Sequence, residues 1–385
     1  MIRTAMMIAW TLICGSALAN EPPVGEPYNV EVIADGLEHP WSIAFLDDKR
    51  MLVTERTGRL RLIDENGLNP TPIAGLPPVF VSGQGGLFEV LPAEDFATSQ
   101  LIYISFAHGT KDANHTRVIR ARFDGERLQD VTTIFTSHPA KSGDAHFGGR
   151  LAWLGDGTLL ISLGDGFYFR EEAQKLDTHL AKIVRINSDG TAPDDNPFVG
   201  QEGALPEIYS YGHRHVQALV VDHESGVLYA HEHGPRGGDE LNVIEPGRNY
   251  GWPVITYGRD YSRAAITPFK ERPGMEQPRT YWVPSIAPAG MALYTGDQFP
   301  QWRGNLFIAA LAEKSVRRVV LGEDRTPVEQ EVLFTELDQR MRDVRTAPDG
   351  SLLLVTDEKE GQVLRVSADA ASASLAARTE LANEE

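Results

Sequence analysis

Asp156-Gly157-Thr158-Leu159-Leu160-Ile161-Ser162 decides the fold: a polar turn closed by Asp-Gly, then an aliphatic run too short for a helix and bounded like a buried strand. The same pattern returns five more times. Asp47-Asp48 precedes Met51-Leu52-Val53-Thr54, and Asp349-Gly350 precedes Leu352-Leu353-Leu354-Val355. Leu101-Ile102-Tyr103-Ile104, Gly226-Val227-Leu228-Tyr229 and Gly304-Asn305-Leu306-Phe307-Ile308 complete the set. Taken between Leu52, Ile102, Leu160, Leu228, Leu306 and Leu353, the steps run from about 47 to about 78 residues, which suits blade-sized units joined by unequal loops. Long amphipathic patterns are nearly absent between the runs, and 169–187 is the best candidate for a helical turn. The expectation is an all-β chain folded as a six-bladed β-propeller with about four strands to a blade. A β-sandwich, or two of them, is the other fold such runs allow.

The chain has 385 residues, 42% hydrophobic and 23% charged, with 36 Gly and 24 Pro, a composition of folded, loop-rich proteins that excludes disorder along its whole length. Its net charge of -18 argues against a nucleic-acid or anionic-membrane partner. Residues 1–19 read as a cleaved signal peptide: Arg3 gives the positive start, 5–14 the apolar stretch, and Ala17-Leu18-Ala19 the small-residue cleavage site. No later segment has the roughly 18 apolar residues of a membrane span. The expected location is therefore periplasmic or secreted. Cys14, the only cysteine, falls inside the signal, so disulfides and thiolate metal sites are excluded from the exported chain. The expected organisation is a signal peptide at 1–19, one propeller domain at 20–369 and a disordered tail at 370–385.

Residues that can carry chemistry cluster beside the six runs, where a propeller gathers strand ends around its channel. His146, in Ala145-His146-Phe147-Gly148-Gly149-Arg150, is a candidate general base, although a single histidine is more often structural. His213 and His215, and His231 and His233, are pairs at i and i+2, the same face of a strand. They fit a zinc or copper site, or histidines packed at blade ends. Gly234-Pro235-Arg236-Gly237-Gly238-Asp239-Glu240 offers backbone carbonyls and two carboxylates, the oxygen donors calcium prefers. Arg340 and Arg342 alternate along an expected strand. Together with Arg214 across the channel they suit a polyanionic ligand, unless each is paired to a local acid such as Asp343.

Several stretches together resemble the soluble quinoprotein glucose/sorbosone dehydrogenases, most of all the bacterial periplasmic aldose sugar dehydrogenases. They are Pro40-Trp41, Thr54-Glu55-Arg56, Gly83-Gln84-Gly85-Gly86-Leu87, 146–151, Gly164-Asp165, Ser210-Tyr211-Gly212-His213-Arg214, 231–242, Asn249-Tyr250-Gly251-Trp252-Pro253, Pro284-Ser285-Ile286-Ala287-Pro288 and 340–345. They span about residues 30–366 in family order. The resemblance implies a six-bladed propeller that holds pyrroloquinoline quinone (PQQ) and calcium and oxidises an aldose at its anomeric hydroxyl to the lactone. It implies that His146 takes the hydroxyl proton while hydride passes to the quinone. Gln84, Asp165, Arg214, His215, His233, Arg340 and Arg342 would form the cofactor pocket. Gly234 and Pro235 would be backbone calcium ligands, with Asp239, Glu240 and Tyr250 at neighbouring calcium-associated positions. The implied partners are an aldose and an unidentified electron acceptor, and the assembly a monomer or homodimer.

Three positions depart from the family pattern. His215 stands where the glucose dehydrogenases carry asparagine, and His233 where they carry glutamine. Ala312 occupies the place of a quinone-holding lysine, for which Lys314 is the nearest substitute. Two other functions fit the scaffold: a non-catalytic calcium-binding propeller, and a metal-dependent hydrolase of the lactonase type.

Overall fold

The computed structural model describes residues 28–369; the expected signal peptide at 1–19 and the tail at 370–385 lie outside the described residues. Twenty-four strands among the described residues form six four-stranded antiparallel sheets. Blade 1 starts with Pro40–Phe45, blade 2 with Leu87–Pro92, blade 3 with Gly148–Trp153, blade 4 with Val216–Asp222, blade 5 with Pro288–Leu293 and blade 6 with Met341–Thr346. These innermost strands touch one another in a closed ring. The fold is a six-bladed propeller, as the repeated runs predict. The ring is closed by the chain's beginning: Tyr28–Leu37 is the outer strand of blade 6, pairing antiparallel with Gly361–Ala368.

Every one of the six quoted runs is the second strand of its blade. Met51–Glu55, Leu159–Leu163, Leu306–Ala310 and Leu352–Thr356 are buried at every residue, because both sheet faces are covered by neighbouring blades. Alternate side chains therefore go to opposite neighbours. Leu52 packs with Ile102 and Ile104 of blade 2, while Met51 and Val53 pack with Leu353 and Val355 of blade 6. The stretch 169–187 holds a short 3-10 helix, Arg170–Gln174, and then the strand Lys182–Ile186, the third of blade 3, so only its first part is helical. Among the described residues no helix is long and apolar enough to cross a membrane.

Each innermost strand shifts register against its partner near its first residues, between Pro40 and Ser42 in blade 1 and between Met341 and Asp343 in blade 6, for example. Such irregularities twist a strand and re-aim its side chains. Here they fall at the end of the channel where the candidate residues meet. Deeper along the axis Arg150, 2% exposed, closes the channel: its Nη1 donates to Glu89 Oε2 at 2.9 Å and lies 3.3 Å from Asp343 Oδ1, and its Nε donates to the Gln217 carbonyl at 2.8 Å.

Candidate functional site

A cavity of about 470 Å3 opens at the entry end of the channel, within the roughly 300–1,000 Å3 of small-molecule sites. All six blades line it near the starts of their innermost strands, through Trp41, Phe88, Gly148, Gln217, Ala287 and Arg342. Of the residues proposed for a cofactor pocket, Gln84, His215, His233, Arg340 and Arg342 share this one cavity. A larger recess of about 860 Å3 lies at the opposite end of the channel, away from all of them.

His146 stands beside the cavity, 3% exposed, its backbone in the left-handed region at φ 51°. Its backbone and its ring are both held. Its N–H donates to Gln84 Oε1 at 2.8 Å, and its ring stacks on His215 with centroids 4.5 Å apart. The two glycines that follow allow close packing against neighbours: a β-carbon on Gly149 would meet Phe88 at 2.7 Å. Its Nδ1 lies 2.7 Å from Asp165 Oδ1. A carboxylate can only accept, so Nδ1 carries the proton and Nε2, which bonds to no described protein group, presents a lone pair. Asp165 is itself held by the Trp252 indole N–H at 2.9 Å and the Phe167 backbone N–H at 2.8 Å. Asp165 thus stands behind the histidine and does not line the cavity, which corrects its expected role from cofactor contact to orienting carboxylate.

The electrostatics favour a base. Burial lowers the pKa of His146, and the Arg214 charge adds to that against the pull of Asp165. Burial works against ionisation of Asp165, yet the His146 hydrogen bond and the Arg214 charge keep its carboxyl below the ordinary range. At neutral pH the pair is therefore a neutral imidazole beside a carboxylate.

Arg340 and Arg342 do point the same way, but their acid is Asp357 and not Asp343. Arg342 Nη2 donates to Asp357 Oδ2 at 2.7 Å and Arg340 Nη2 at 3.4 Å. Asp343 instead pairs with Arg150 and Arg345. Burial opposes ionisation of Asp357, but the two arginines hold its carboxyl well below the usual range. Two guanidiniums against one carboxylate leave a net positive wall, and Arg342 Nε and His215 Nδ1 are buried without a protein partner. Such orphan donors suit an anionic, acceptor-rich ligand. Ala312 does not line the cavity, and Lys314 is turned to Asp338, 2.8 Å from its Oδ1, so it does not take the place of the missing lysine.

The histidine pairs do not form a zinc or copper site. His213 donates from Nδ1 to Glu232 at 3.1 Å and accepts from Ser210, whereas His215 turns to the cavity. Among the described residues no three His, Cys, Asp or Glu side chains gather as a metal would need. Both nitrogens of His231 are buried without a partner.

The Gly/Pro turn behaves differently from its parts. Asp239 accepts four hydrogen bonds, from the Gly234, Ile286 and Ala287 N–H groups and the Ser285 hydroxyl. Three of these fall on Oδ2 and one on Oδ1, so Asp239 anchors the turn. A space of about 10 Å3, room for one water or ion, lies between Glu232, Gly234, Glu240 and Tyr250, with Arg214 also at its wall. Burial and the nearby Glu232 carboxylate raise the Glu240 carboxyl well above its usual range. Two facing acids call for a proton or a cation, so the oxygen set fits calcium. Pro235 does not line this space. The Gly234 carbonyl accepts from Arg214 Nη1 at 2.9 Å, and the Tyr250 hydroxyl donates to Val243, leaving only its backbone.

Sequence reading gave no role to Asp357, Trp252 or Tyr261, the last with its hydroxyl 3.5 Å from Arg214 Nη2. One signal was available for the acid. Glu55, Asp165, Glu232 and Asp357 all lie at or just past the end of a second-strand run, the end that meets the cavity.

The sequence pattern of the Glucose / Sorbosone dehydrogenase family matches residues 37–365, and the chain belongs to that family. Its class is therefore that of the sugar dehydrogenases, oxidoreductases on a propeller scaffold. Aldose sugar dehydrogenase YliI of Escherichia coli (strain K12) is 43% identical over 363 residues, covering 92% of this chain and 96% of that protein. A crystal structure of a glucose dehydrogenase is 48% identical, with a TM-score of 0.86 over 89% of this chain and 100% of that one. The PQQ-bound form of an aldose sugar dehydrogenase from Streptomyces coelicolor is 28% identical, with a TM-score of 0.73 over 90% and 100%.

Proposed function

We propose that the protein oxidises aldoses at the anomeric hydroxyl to the lactone, with PQQ and calcium, in the periplasm or outside the cell after export by residues 1–19. The observation that carries this reading is the meeting of Gln84, His215, Arg340 and Arg342 in one cavity beside a histidine whose Nδ1 is fixed by Asp165. Arg340, Arg342 and the free His215 Nδ1 would hold the carboxylates and carbonyls of PQQ. Calcium would be held by Glu240 with backbone oxygens of Gly234 and Tyr250. PQQ, when bound, supplies the acceptor for the two electrons that leave the sugar.

The protein's own part is proton handling and orientation. His146 Nε2 takes the hydroxyl proton, and Asp165 stabilises the resulting imidazolium while fixing the ring's tautomer. The Arg214 guanidinium, 5.4 Å above the Trp252 ring, puts positive charge near the His146–Asp165 pair and would favour negative charge developing there. Phe167, edge-on to His146 with centroids 5.1 Å apart, and Tyr261 narrow the approach of water.

Dye-linked oxidation of D-glucose and a small aldose panel tests the proposal. Turnover is expected only when PQQ and calcium are both added, with sugar reducing the bound quinone. Failure of PQQ to bind or to support turnover sinks it, and quinone-independent lactone hydrolysis would favour the hydrolase. Arg342→Ala is expected to weaken PQQ binding about 10- to 100-fold in a fluorescence titration, since a hydrogen bond to a charged group contributes about 1.5–3 kcal/mol. Unchanged affinity would remove the arginine wall from the binding site.

A further inference from the structure

Lys141 has no part in the chemistry above, yet it lies directly behind it. The residue is 3% exposed, and its Nζ is buried with no hydrogen-bond partner among the described residues. An ammonium carries three donors, so this is an unusual place to keep one. The charge instead faces a ring: Nζ stands 3.7 Å from the centroid of Phe147, the residue after His146 and part of the cavity wall. The stem packs on Gly166, where a β-carbon would come within 2.6 Å of Lys141 Cδ. Paired backbone bonds to Asn114, 2.8 and 2.9 Å long, pin it there. The ammonium is thus wedged between the His146-Phe147 segment and the 165–167 turn that orients His146.

We propose that Lys141 is a positioning residue for the oxidation: its buried charge acts through the Asp165–His146 pair, keeping the carboxylate ionised and the imidazole unprotonated. The inference rests on His146 as the base. Asp165, Arg214, His215, His233 and Lys141 are the titratable groups around that ring. Burial pushes His215 and His233 down, so both stay neutral near pH 7 and add no charge. Asp165 alone favours the imidazolium; Arg214 and Lys141 oppose it. Burial lowers the Lys141 ammonium itself to about 8, against the pull of Asp144 and Asp165, so it is charged at neutral pH. Removing it tips the balance toward a protonated histidine.

Lys141→Met keeps the length of the side chain and deletes the charge. The direct readout is the imidazole C–H resonance of His146, identified by its loss in His146→Gln and titrated in the protein without added quinone. The midpoint is expected to rise. In the reconstituted enzyme the acid limb of kcat/KM moves to higher pH by the same amount, with PQQ affinity unchanged. Lys141→Arg is expected to restore the parental midpoint, and Lys141→Gln serves if the methionine variant does not fold. A folded, uncharged variant with the parental midpoint would overturn the inference and leave Lys141 as packing. Because the resonance needs no turnover, failure of the quinone reaction and failure of this role are read separately.

Discussion

His146→Gln is expected to lower kcat/KM of the reconstituted enzyme by about 10²- to 10⁴-fold, the usual contribution of a positioned base, while PQQ still binds with parental affinity. The separation follows from the geometry: the arginine wall lies across the cavity, and His146 reaches it only through Gln84 and His215. Asp165→Asn is the sharper companion. An amide can donate to Nδ1, which moves the ring proton to Nε2 and removes the lone pair the reaction needs. A comparable loss is expected with the ring still in place. The pH profile adds a sign. Because burial and the Arg214 charge lower the His146 pKa, the active neutral form persists as pH falls, and kcat/KM declines only below the ordinary imidazole value of about 6.5. Retained turnover in His146→Gln, or a profile that falls from pH 8 downward, would remove His146 from the chemistry.

Arg150→Ala is expected to destabilise the protein by about 3–5 kcal/mol, read as a lower urea midpoint, the range for removing one partner of a buried ion pair. In the channel Arg150 and Arg345 balance Glu89 and Asp343, two charges against two. Losing Arg150 leaves one guanidinium for two buried carboxylates. It also frees the Gln217 carbonyl and uncovers the face of Trp41, whose ring lies 4.0 Å from the guanidinium. These groups come from blades 1, 2, 3, 4 and 6, so one side chain ties together most of the ring. A change below about 1 kcal/mol would mean that the network is hydrated and replaceable.

The architecture was legible because it is written locally. A strand covered on both faces needs an unbroken apolar run and a turn before it, so each second strand announced itself and their number gave the blades. His146 and the arginines were legible for a related reason, since they lie shortly before those runs, whereas Gln84 came only from the family resemblance. What tertiary structure decided is which of these side chains face one another. Gln84 meets His146 across 62 positions, Trp252 meets Asp165 across 87, and Ile43 meets Asp343 across 300. No local pattern encodes such pairs, since only the packing of blade on blade, and for Ile43 and Asp343 the closing of the ring, brings them together. Folding of blade 6 gave Arg342 to Asp357, folding of blade 3 set Asp165 behind the histidine, and the 285–287 turn made Asp239 an anchor. The sequence by itself determined six buried strands and a set of candidate groups. The partners of those groups, and hence their protonation and their roles, were decided only when each blade folded on itself and packed against its neighbours around the channel.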